Sequence, residues 1–322
     1  MPSCHASCEQ GAESIDLFTG NKMTVYQKMV LAGHHDHSLT ARLLNSLLCQ
    51  HFGRHKGLRL LDLGCGDASF AASILNQGDT PLSLSSYTGV DLSATSLQLA
   101  AQQPLPLPAG NGSSSSRRLV EQDMLGFLRA WQEGQQAQQE AAQQLQQGEQ
   151  EGEGEHRAST EHAQQHGAHS RKHQLRQQQE PQLQAAPVAV APASPPGEAY
   201  DVVLCALSAH HLARHEKQQL LCHARCALAR GGCLLLMDVF RKEGESRDAY
   251  MERARHYYFE DGGQGSLRPE EAEEVWAHVS VYDYPETESD YRHMAAEAGF
   301  ARCKLLHTCR REYTKVLALW RD

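Results

Sequence analysis

The sequence lacks an excess of basic residues: 30 Lys and Arg stand against 39 Asp and Glu, giving a net charge of −9. No positive surface for phosphate backbones is therefore expected, which disfavours nucleic acid as a partner. The chain also lacks any apolar run near the roughly eighteen residues of a membrane span, so no membrane association is predicted. Its first twenty residues contain no Lys or Arg, unlike a secretory signal. A cytoplasmic location is expected, with organelle import left open.

Cysteine pairs of the zinc-binding type are absent as well. The spacings of Cys4 with Cys8 and of Cys222 with Cys226 do not form a paired zinc knuckle. Others, such as Cys205, lie in apolar runs, where a reduced cysteine acts as a small core residue. Reduced thiols are therefore predicted.

A long segment lacks the apolar pattern of a folded core. Residues 132–184 hold eighteen glutamines, and residues 185–197 are rich in Ala, Pro and Val. Neither part can bury enough surface to offset the entropy of ordering, although Ala, Gln and Glu are compatible with a helix at residues 135–147. A disordered Gln-rich insertion is predicted at residues 132–197, with a protein partner as its candidate ligand. A flexible tail is expected at residues 1–22, leaving residues 23–131 and 198–322 as two parts of one domain.

In those two parts, short apolar strands alternate with helices. Strands are predicted at residues 58–63, 85–91, 118–122, 200–204, 233–239, 302–307 and 313–319. Helices are predicted at residues 38–52, 68–75, 94–101, from 124, from 212 to the Gly231-Gly232 pair, and at 289–298. Near-continuous apolar strands separated by helices indicate an α/β fold with a doubly wound, mostly parallel seven-stranded Rossmann-like sheet. The last two strands form a C-terminal antiparallel hairpin.

The first strand runs into a glycine-containing loop, residues 62–66 (Asp-Leu-Gly-Cys-Gly). Ligands of open α/β sheets bind beyond the carboxyl ends of the strands, where such a loop lies. A dinucleotide fingerprint needs a third glycine, but Ser69 occupies that position. Asp62 would also repel a pyrophosphate, whereas it would attract a cationic ligand.

This loop resembles the first motif of the class I S-adenosylmethionine-dependent methyltransferases, whose cofactor carries an ammonium and a sulfonium group. The resemblance covers residues 24–131 and 198–320 and departs from the family at Ala68, where many members have glycine. It implies that Asp91 accepts hydrogen bonds from the ribose hydroxyls and Asp123 one from the adenine amino group. The residues that it assigns to the cofactor are Asp62, Gly64, Cys65, Gly66, Asp91, Leu92, Asp123, Met124 and Cys205.

Two adjacent histidines follow the fourth strand and are the candidate catalytic residues. An imidazole with a pKa near 6.5 could deprotonate a methyl acceptor. The alternative is that His210 or His211 only caps a helix or packs. Because adjacent side chains diverge, we expect one of the two to face the acceptor and the other to pack.

Acceptor recognition is expected in two segments, a lid at residues 16–36 and the long connection at residues 240–288. The candidate substrate residues are Tyr26, His35, Tyr257 and His278, with Tyr282 and Asp283 as further possibilities. The run at residues 34–37 (His-His-Asp-His) resembles a metal cluster, but a solvated or lid-facing run is favoured and no metal is expected.

The resemblance implies an enzyme that transfers a methyl group from S-adenosyl-L-methionine to an O or N atom of a small molecule. S-adenosyl-L-homocysteine would be its product. The alternative is a non-catalytic, cofactor-binding scaffold that recruits partners through its Gln-rich insertion.

Overall fold

The computed structural model describes residues 21–54, 56–78, 81–108, 117–159, 198–261, 267–309 and 312–322. They fall into two compact units, divided after Gln132 and again at residue 197. The first unit contains the sheet and all the predicted site residues. The second, residues 133–196, is described as far as residue 159.

A seven-stranded sheet forms the centre of the first unit. Its strands are β1 Leu58–Leu63, β2 Leu84–Asp91, β3 Arg117–Glu121, β4 Tyr200–Ala206, β5 Leu228–Val239, β6 Arg302–Thr308 and β7 Thr314–Trp320. They are ordered β3-β2-β1-β4-β5-β7-β6. Strands β1 to β5 pair in parallel, and β7 runs antiparallel to both β5 and β6. The predicted fold, including the terminal hairpin, is confirmed.

Helices connect the strands as the alternating pattern requires. They are α1 Asn21–Leu31, α2 His37–Phe52, α3 Ser69–Leu75, α4 Ala94–Ala100, α5 Met124–Ser159, α6 Arg214–Ala227, α7 Arg247–His256, α8 Pro269–Tyr282 and α9 Glu288–Glu297. Helix α1 and the pair α7 and α8 belong to the two segments expected to recognise the acceptor.

The strand order fixes where a ligand can bind. Strand β1 lies between β2 and β4, with Asp62 paired to Gly89 on one side and to Leu204 on the other. Connections leave β1 and β4 toward opposite halves of the sheet, which opens a crevice at their carboxyl ends. The glycine loop after β1 and the histidines after β4 therefore lie at the same edge.

The central strands β1 and β4 are almost entirely apolar and are buried on both faces of the sheet. Cys205 and Cys233 are fully buried in this core, and all eight cysteines of the described residues are free thiols. Besides the core on the two faces of the sheet, a further apolar cluster joins Val25 and Met29 of α1 to Val239 and Tyr313 at the strand ends. This cluster seats the lid on the carboxyl edge of the sheet.

Two boundaries of the helix after β4 differ from the prediction. Helix α6 begins at Arg214, because residues 209–211 form a separate 3-10 turn. It ends at Ala227, and Gly231 and Gly232 lie within β5 instead of closing the helix. A Cβ atom at Gly232 would come within 2.9 Å of two backbone oxygens, those of Ala229 and Asp201. The pair therefore permits a close approach of backbone at the start of the strand.

Helix α5 is much longer than its apolar start suggests. It continues through residue 159, and the side chains of residues 136–144 are all exposed. Ala, Gln and Glu support such a helix by propensity and not by packing. None of the helices in the described part of the chain is both long and apolar enough to cross a membrane. The predicted tail up to residue 20, and residues 160–197 of the predicted insertion, lie outside the described residues.

Candidate active site

The glycine loop after β1 lies directly against the turn after β4. Gly64 has a φ of 66°, and a Cβ atom there would come within 2.5 Å of the Ser208 side chain. Gly66 has a φ of 52°, and no atom lies within 4 Å of where its Cβ would be. Gly64 is thus required by a close contact, while the open face of Gly66 lets a ligand approach the backbone.

Asp91, at the end of β2, is held by this loop. Its Oδ2 accepts a hydrogen bond from the Gly66 backbone N–H at 2.8 Å, and its Oδ1 accepts one from the Ser93 N–H at 2.9 Å. Burial raises the pKa of Asp91, and the backbone N–H groups partly oppose that shift. A carboxylate has about four lone-pair sites, so each oxygen can accept one more bond from a ligand.

The other cofactor candidates surround Asp91 at the same edge. Asp123 is exposed and accepts a hydrogen bond from the Gly126 N–H at 2.7 Å, which caps α5. Leu92 is exposed and Met124 is half-buried. Two held carboxylates, two apolar side chains and an open glycine face fit a nucleoside cofactor with hydroxyl and amino groups.

Three predicted cofactor residues have their side chains behind the loop. The Asp62 carboxylate is 3% exposed and accepts a hydrogen bond from the Tyr87 hydroxyl at 2.8 Å. Burial raises its pKa to about 7, so the expected direct attraction between Asp62 and a cationic ligand is not what this geometry provides. Cys65 and Cys205 are buried, and the Cys205 Sγ lies 3.3 Å from the Ser208 Oγ. These side chains support the loop from inside.

The two histidines after β4 converge. The Nδ1 atom of His210 lies 2.5 Å from Asp238 Oδ1, on β5. His210 Nε2 and His211 Nδ1 lie 3.7 and 3.6 Å from Asp283 Oδ1, and the two ring centroids are 4.0 Å apart. The prediction that only one of the two faces the site is wrong. Side chains alternate in an extended strand, but in this 3-10 turn both imidazoles reach the same carboxylate.

Burial and neighbouring charges shift the pKa values of this cluster in different directions. Burial alone would lower the pKa of His210, but the carboxylates of Asp238 and Asp283 outweigh it and raise that pKa. The pKa of His211 is lowered by burial and by the positive charges of His210 and His278. Burial raises the pKa of Asp283 to about 6. Adjacent imidazoles thus differ in basicity.

These groups line a cavity of about 60 Å³ at the carboxyl edge. Its lining comprises imidazoles, one carboxylate, one tyrosine and apolar side chains from the lid, from α8 and from the ends of β4 and β5: Val25, Met29, His35, Leu207, His210, His211, Val239, Tyr258, Val275, His278, Val279 and Asp283. Such a volume holds only a few water-sized groups.

The predicted substrate residues are only partly brought together. His35 and His278 line the cavity, whereas the Tyr257 hydroxyl bonds to His34 Nδ1 at 2.7 Å and fastens the lid. Its neighbour Tyr258 lines the cavity instead. The side chain of Tyr26 lies outside what the structure describes.

The run at residues 34–37 is not solvated, and its side chains do not converge on one point as the ligands of a metal ion would. His34, His35 and His37 are all buried. His35 Nδ1 lies 2.8 Å from the Thr314 hydroxyl, and Asp36 pairs with His307 at 3.0 Å. The side chains thus diverge to separate partners and attach the lid to the sheet.

Sequence reasoning did not assign Asp238 to the site. The signal was present, since Asp238 is the one charged residue among the apolar residues 233–239 of β5. An acid that is 0% exposed in such a strand must be paired.

The sequence profile of a family described as a methyltransferase domain matches residues 33–302. The match includes the glycine loop, the turn of His210 and His211, and Asp283. The chain belongs to this methyltransferase-domain family. The predicted identification as a methyltransferase is therefore confirmed. Among curated protein sequences, none matches this chain.

Several solved structures are similar to this one. The plantazolicin methyltransferase BpumL, solved with a triazolic desmethylPZN analogue and SAH, gives a TM-score of 0.52 at 12% identity, over 99% of this chain and 97% of BpumL. Magnesium protoporphyrin IX methyltransferase (ChlM) from Synechocystis PCC 6803, solved with SAM, gives 0.49 at 15% identity, over 97% of each chain. A Nostoc punctiforme protein gives 0.45 at 15% identity; this chain aligns over 88% of its own length and spans 56% of that protein. At these identities, the similarity to BpumL supports the fold alone.

Proposed function

We propose that this protein transfers a methyl group from S-adenosyl-L-methionine to an oxygen or nitrogen atom of a small molecule, leaving S-adenosyl-L-homocysteine. The observation that carries this proposal is the contact between Gly64 and Ser208. It joins the loop that fits a nucleoside cofactor to the turn that presents His210 and His211 to the cavity. Donor and acceptor sites are thereby neighbours.

On the donor side, Asp91 and Asp123 would hold the ribose hydroxyls and the adenine amino group. The open backbone at Gly66 would accommodate the rest of the cofactor, with Leu92 and Met124 flanking it. When bound, S-adenosylmethionine supplies an electrophilic methyl group on a sulfonium. The protein's part is then alignment and exclusion of water, which the buried cavity under α1 supports.

On the acceptor side, the cavity is lined by imidazoles and by apolar side chains, among them those of α1 and α8. This combination suits a largely apolar molecule with one ionisable O–H or N–H group. We place that group beside His210 and His211. A non-catalytic, cofactor-binding scaffold, the alternative considered above, would not require a buried pair of His210 and Asp238 beside a cavity. Partner recruitment by residues 132–197 and a cytoplasmic location stay predictions from the sequence.

The test uses labelled S-adenosylmethionine and a metabolite extract as the source of acceptors. Wild-type protein should yield a labelled product, and His210→Asn should lower the rate by about a hundredfold, a typical contribution of a group that assists proton removal. Cofactor affinity, measured by calorimetry, should not change. His215→Asn is the matched control, because His215 is exposed on α6.

Two results would count against the proposal. Full turnover in His210→Asn would remove this histidine from the acceptor site. Cofactor binding without any labelled product, across extracts of different origin, would favour the scaffold instead.

A further inference from the structure

We propose that His210, His211 and Asp283 bind a divalent transition-metal ion of the zinc or iron(II) class. The ion would bind the acceptor through the atom that becomes methylated. The role in methyl transfer rests on the proposed function, whereas the metal site itself does not. Two imidazoles and one carboxylate form a ligand set found in zinc and non-haem iron enzymes, and it leaves positions open for another ligand.

The distances within this trio fit a shared ion better than a hydrogen bond from Asp283 to either ring. His211 Nδ1 also lies 3.4 Å from the Tyr282 carbonyl oxygen, a contact that an ion at Nδ1 would replace. One ligand atom from each residue lies within 4.8 Å of the other two. The separations of 3.7 and 3.6 Å from Asp283 Oδ1 to the ring nitrogens of His210 and His211 are too long for hydrogen bonds. Two ligand atoms that are each about 2.0–2.2 Å from a tetrahedral ion lie roughly 3.3–3.6 Å apart. The two separations from Asp283 Oδ1 are thus close to the spacing that an ion would impose, and ligand atoms of the two histidines, within 4.8 Å of each other, would move closer together on binding it.

A second, independent observation concerns the Asp283 carboxylate. Asp283 is 3% exposed, and its Oδ1 has no hydrogen-bond partner in the described part of the chain. Buried carboxylate oxygens normally accept hydrogen bonds or bind cations. This oxygen instead faces a ring nitrogen of His210 and one of His211.

The surroundings orient the ligands as metal sites usually do. Asp238 fixes His210 through Nδ1, so a neutral imidazole keeps the Nε2 lone pair toward Asp283. The backbone N–H of Tyr284 donates to the His210 carbonyl at 2.7 Å. The buried Lys217 ammonium donates to the carbonyls of both Leu212 and Tyr284. The turn at residues 210–212 and the segment at residues 282–284 are therefore held together.

Such an ion would assist the proposed reaction, and the reaction would need no further co-reactant. An acceptor O–H or N–H that meets a bound cation releases its proton to solvent more readily. The freed electron pair then forms the new bond to carbon while the carbon–sulfur bond breaks, and that bond's electron pair leaves with S-adenosylhomocysteine. The rival is a metal-free site in which His210, supported by Asp238, takes the proton itself.

The experiment measures metal binding directly on the full chain. Protein treated with a chelator and dialysed is titrated with Zn²⁺ by calorimetry and with Co²⁺ by visible absorption. The chain has 19 histidines, so weaker sites elsewhere are expected, and the signal is a difference between variants. Asp283→Asn should lose one tight Zn²⁺ per chain, with at least a tenfold weaker affinity, together with the Co²⁺ absorption of that site.

The matched control is Asp36→Asn, which alters another histidine–aspartate pair, that of Asp36 and His307. It should keep the tight ion. His211→Asn is the second ligand variant, and circular dichroism with thermal melting shows whether each variant folds. If Asp283→Asn and His211→Asn both prove unfolded, the test uses the wild-type protein. Zn²⁺ must then raise its melting temperature, and Co²⁺ must give the absorption spectrum of nitrogen and oxygen ligation.

The inference is overturned if wild-type protein binds no tight ion, or if a folded Asp283→Asn binds Zn²⁺ as the wild type does. Chelator-treated protein that transfers methyl groups at the full rate would also overturn it, while leaving the proposed function intact. Conversely, tight Zn²⁺ binding in a protein that methylates nothing would keep the site and refute the function.

Discussion

The donor side and the acceptor side of this site are built in opposite ways. The donor side consists of short stretches at the ends of β1, β2 and β3, and Asp91 and Asp123 accept hydrogen bonds from backbone N–H groups of these stretches. The acceptor side assembles residues from α1, the turn after β4, the interior of β5 and the segment after α8. A donor site of this kind is visible in local sequence, whereas the acceptor site exists only after folding.

The two sides also differ in burial. Asp123 is exposed and Asp91 is partly exposed, while Asp238 and Asp283 are almost completely buried. Buried charges must be paired, so changing one member should affect its neighbours. A half-exposed carboxylate that accepts hydrogen bonds from the backbone should be replaceable with less effect on its neighbours. Three variants test this contrast, in decreasing order of expected effect.

The largest effect is expected on the donor side, for Asp91→Ala. Each hydrogen bond to a charged acceptor contributes about 1.5–3 kcal/mol, so losing both ribose bonds should weaken cofactor binding by about 3–6 kcal/mol. Calorimetry with S-adenosylhomocysteine measures this. Asp67→Ala is the control, since Asp67 directly follows the glycine loop and accepts a hydrogen bond from the Ser69 N–H. Unchanged affinity in Asp91→Ala would contradict the ribose assignment, and equal losses in both variants would indicate a collapsed loop.

A smaller effect, on stability, is expected on the acceptor side for Lys217→Met. Lys217 is 0% exposed, and burial lowers its pKa to about 8. Methionine fills the space of the side chain but leaves the carbonyls of Leu212 and Tyr284 without their donor. The free energy of unfolding should fall by about 2–4 kcal/mol, as two buried acceptors lose their partner.

Denaturant titration measures that loss. Cofactor affinity should stay unchanged, because Asp91 and Asp123 accept their hydrogen bonds from backbone groups that Lys217 does not contact. Lys56→Met is the control: Lys56 is about half exposed and pairs with Asp201. It should change stability by no more than about 1 kcal/mol. If Lys217→Met loses as little stability as the control, the turn at residues 210–212 and the segment at residues 282–284 are not held together by the Lys217 ammonium.

The same contrast explains what the sequence could predict. Strand positions and the glycine loop were predictable because strands of a parallel sheet are apolar throughout and the loop residues are contiguous. Asp91 is the last residue of its strand, so its location at the edge needed only the strand assignment. The folded position of Asp62 was not predictable, because the Tyr87 partner that holds it inward comes from β2.

The acceptor side could not be assembled from the sequence for a similar reason. His210 and Asp283 are separated by more than seventy residues, and no local pattern joins them. The expected divergence of His210 and His211 assumed an extended backbone, whereas the chain forms a 3-10 turn there. Gly231 and Gly232 were interpreted as a helix end, which is their common role, but here they serve a close backbone contact in β5.

The smallest effect is expected for removal of the Gln-rich insertion. Replacing residues 135–195 by a short Gly/Ser linker should leave cofactor affinity unchanged and alter the free energy of unfolding by less than about 1 kcal/mol, since loop length changes closure entropy only slowly. The exposed side chains of residues 136–144 support this expectation, because a helix without a buried face gains little from its surroundings. Calorimetry and denaturant titration on the shortened chain provide the measurement. If the shortened chain loses cooperative unfolding, the insertion belongs to the folded domain. The stability of the domain would then depend on the insertion as well as on the donor and acceptor sides.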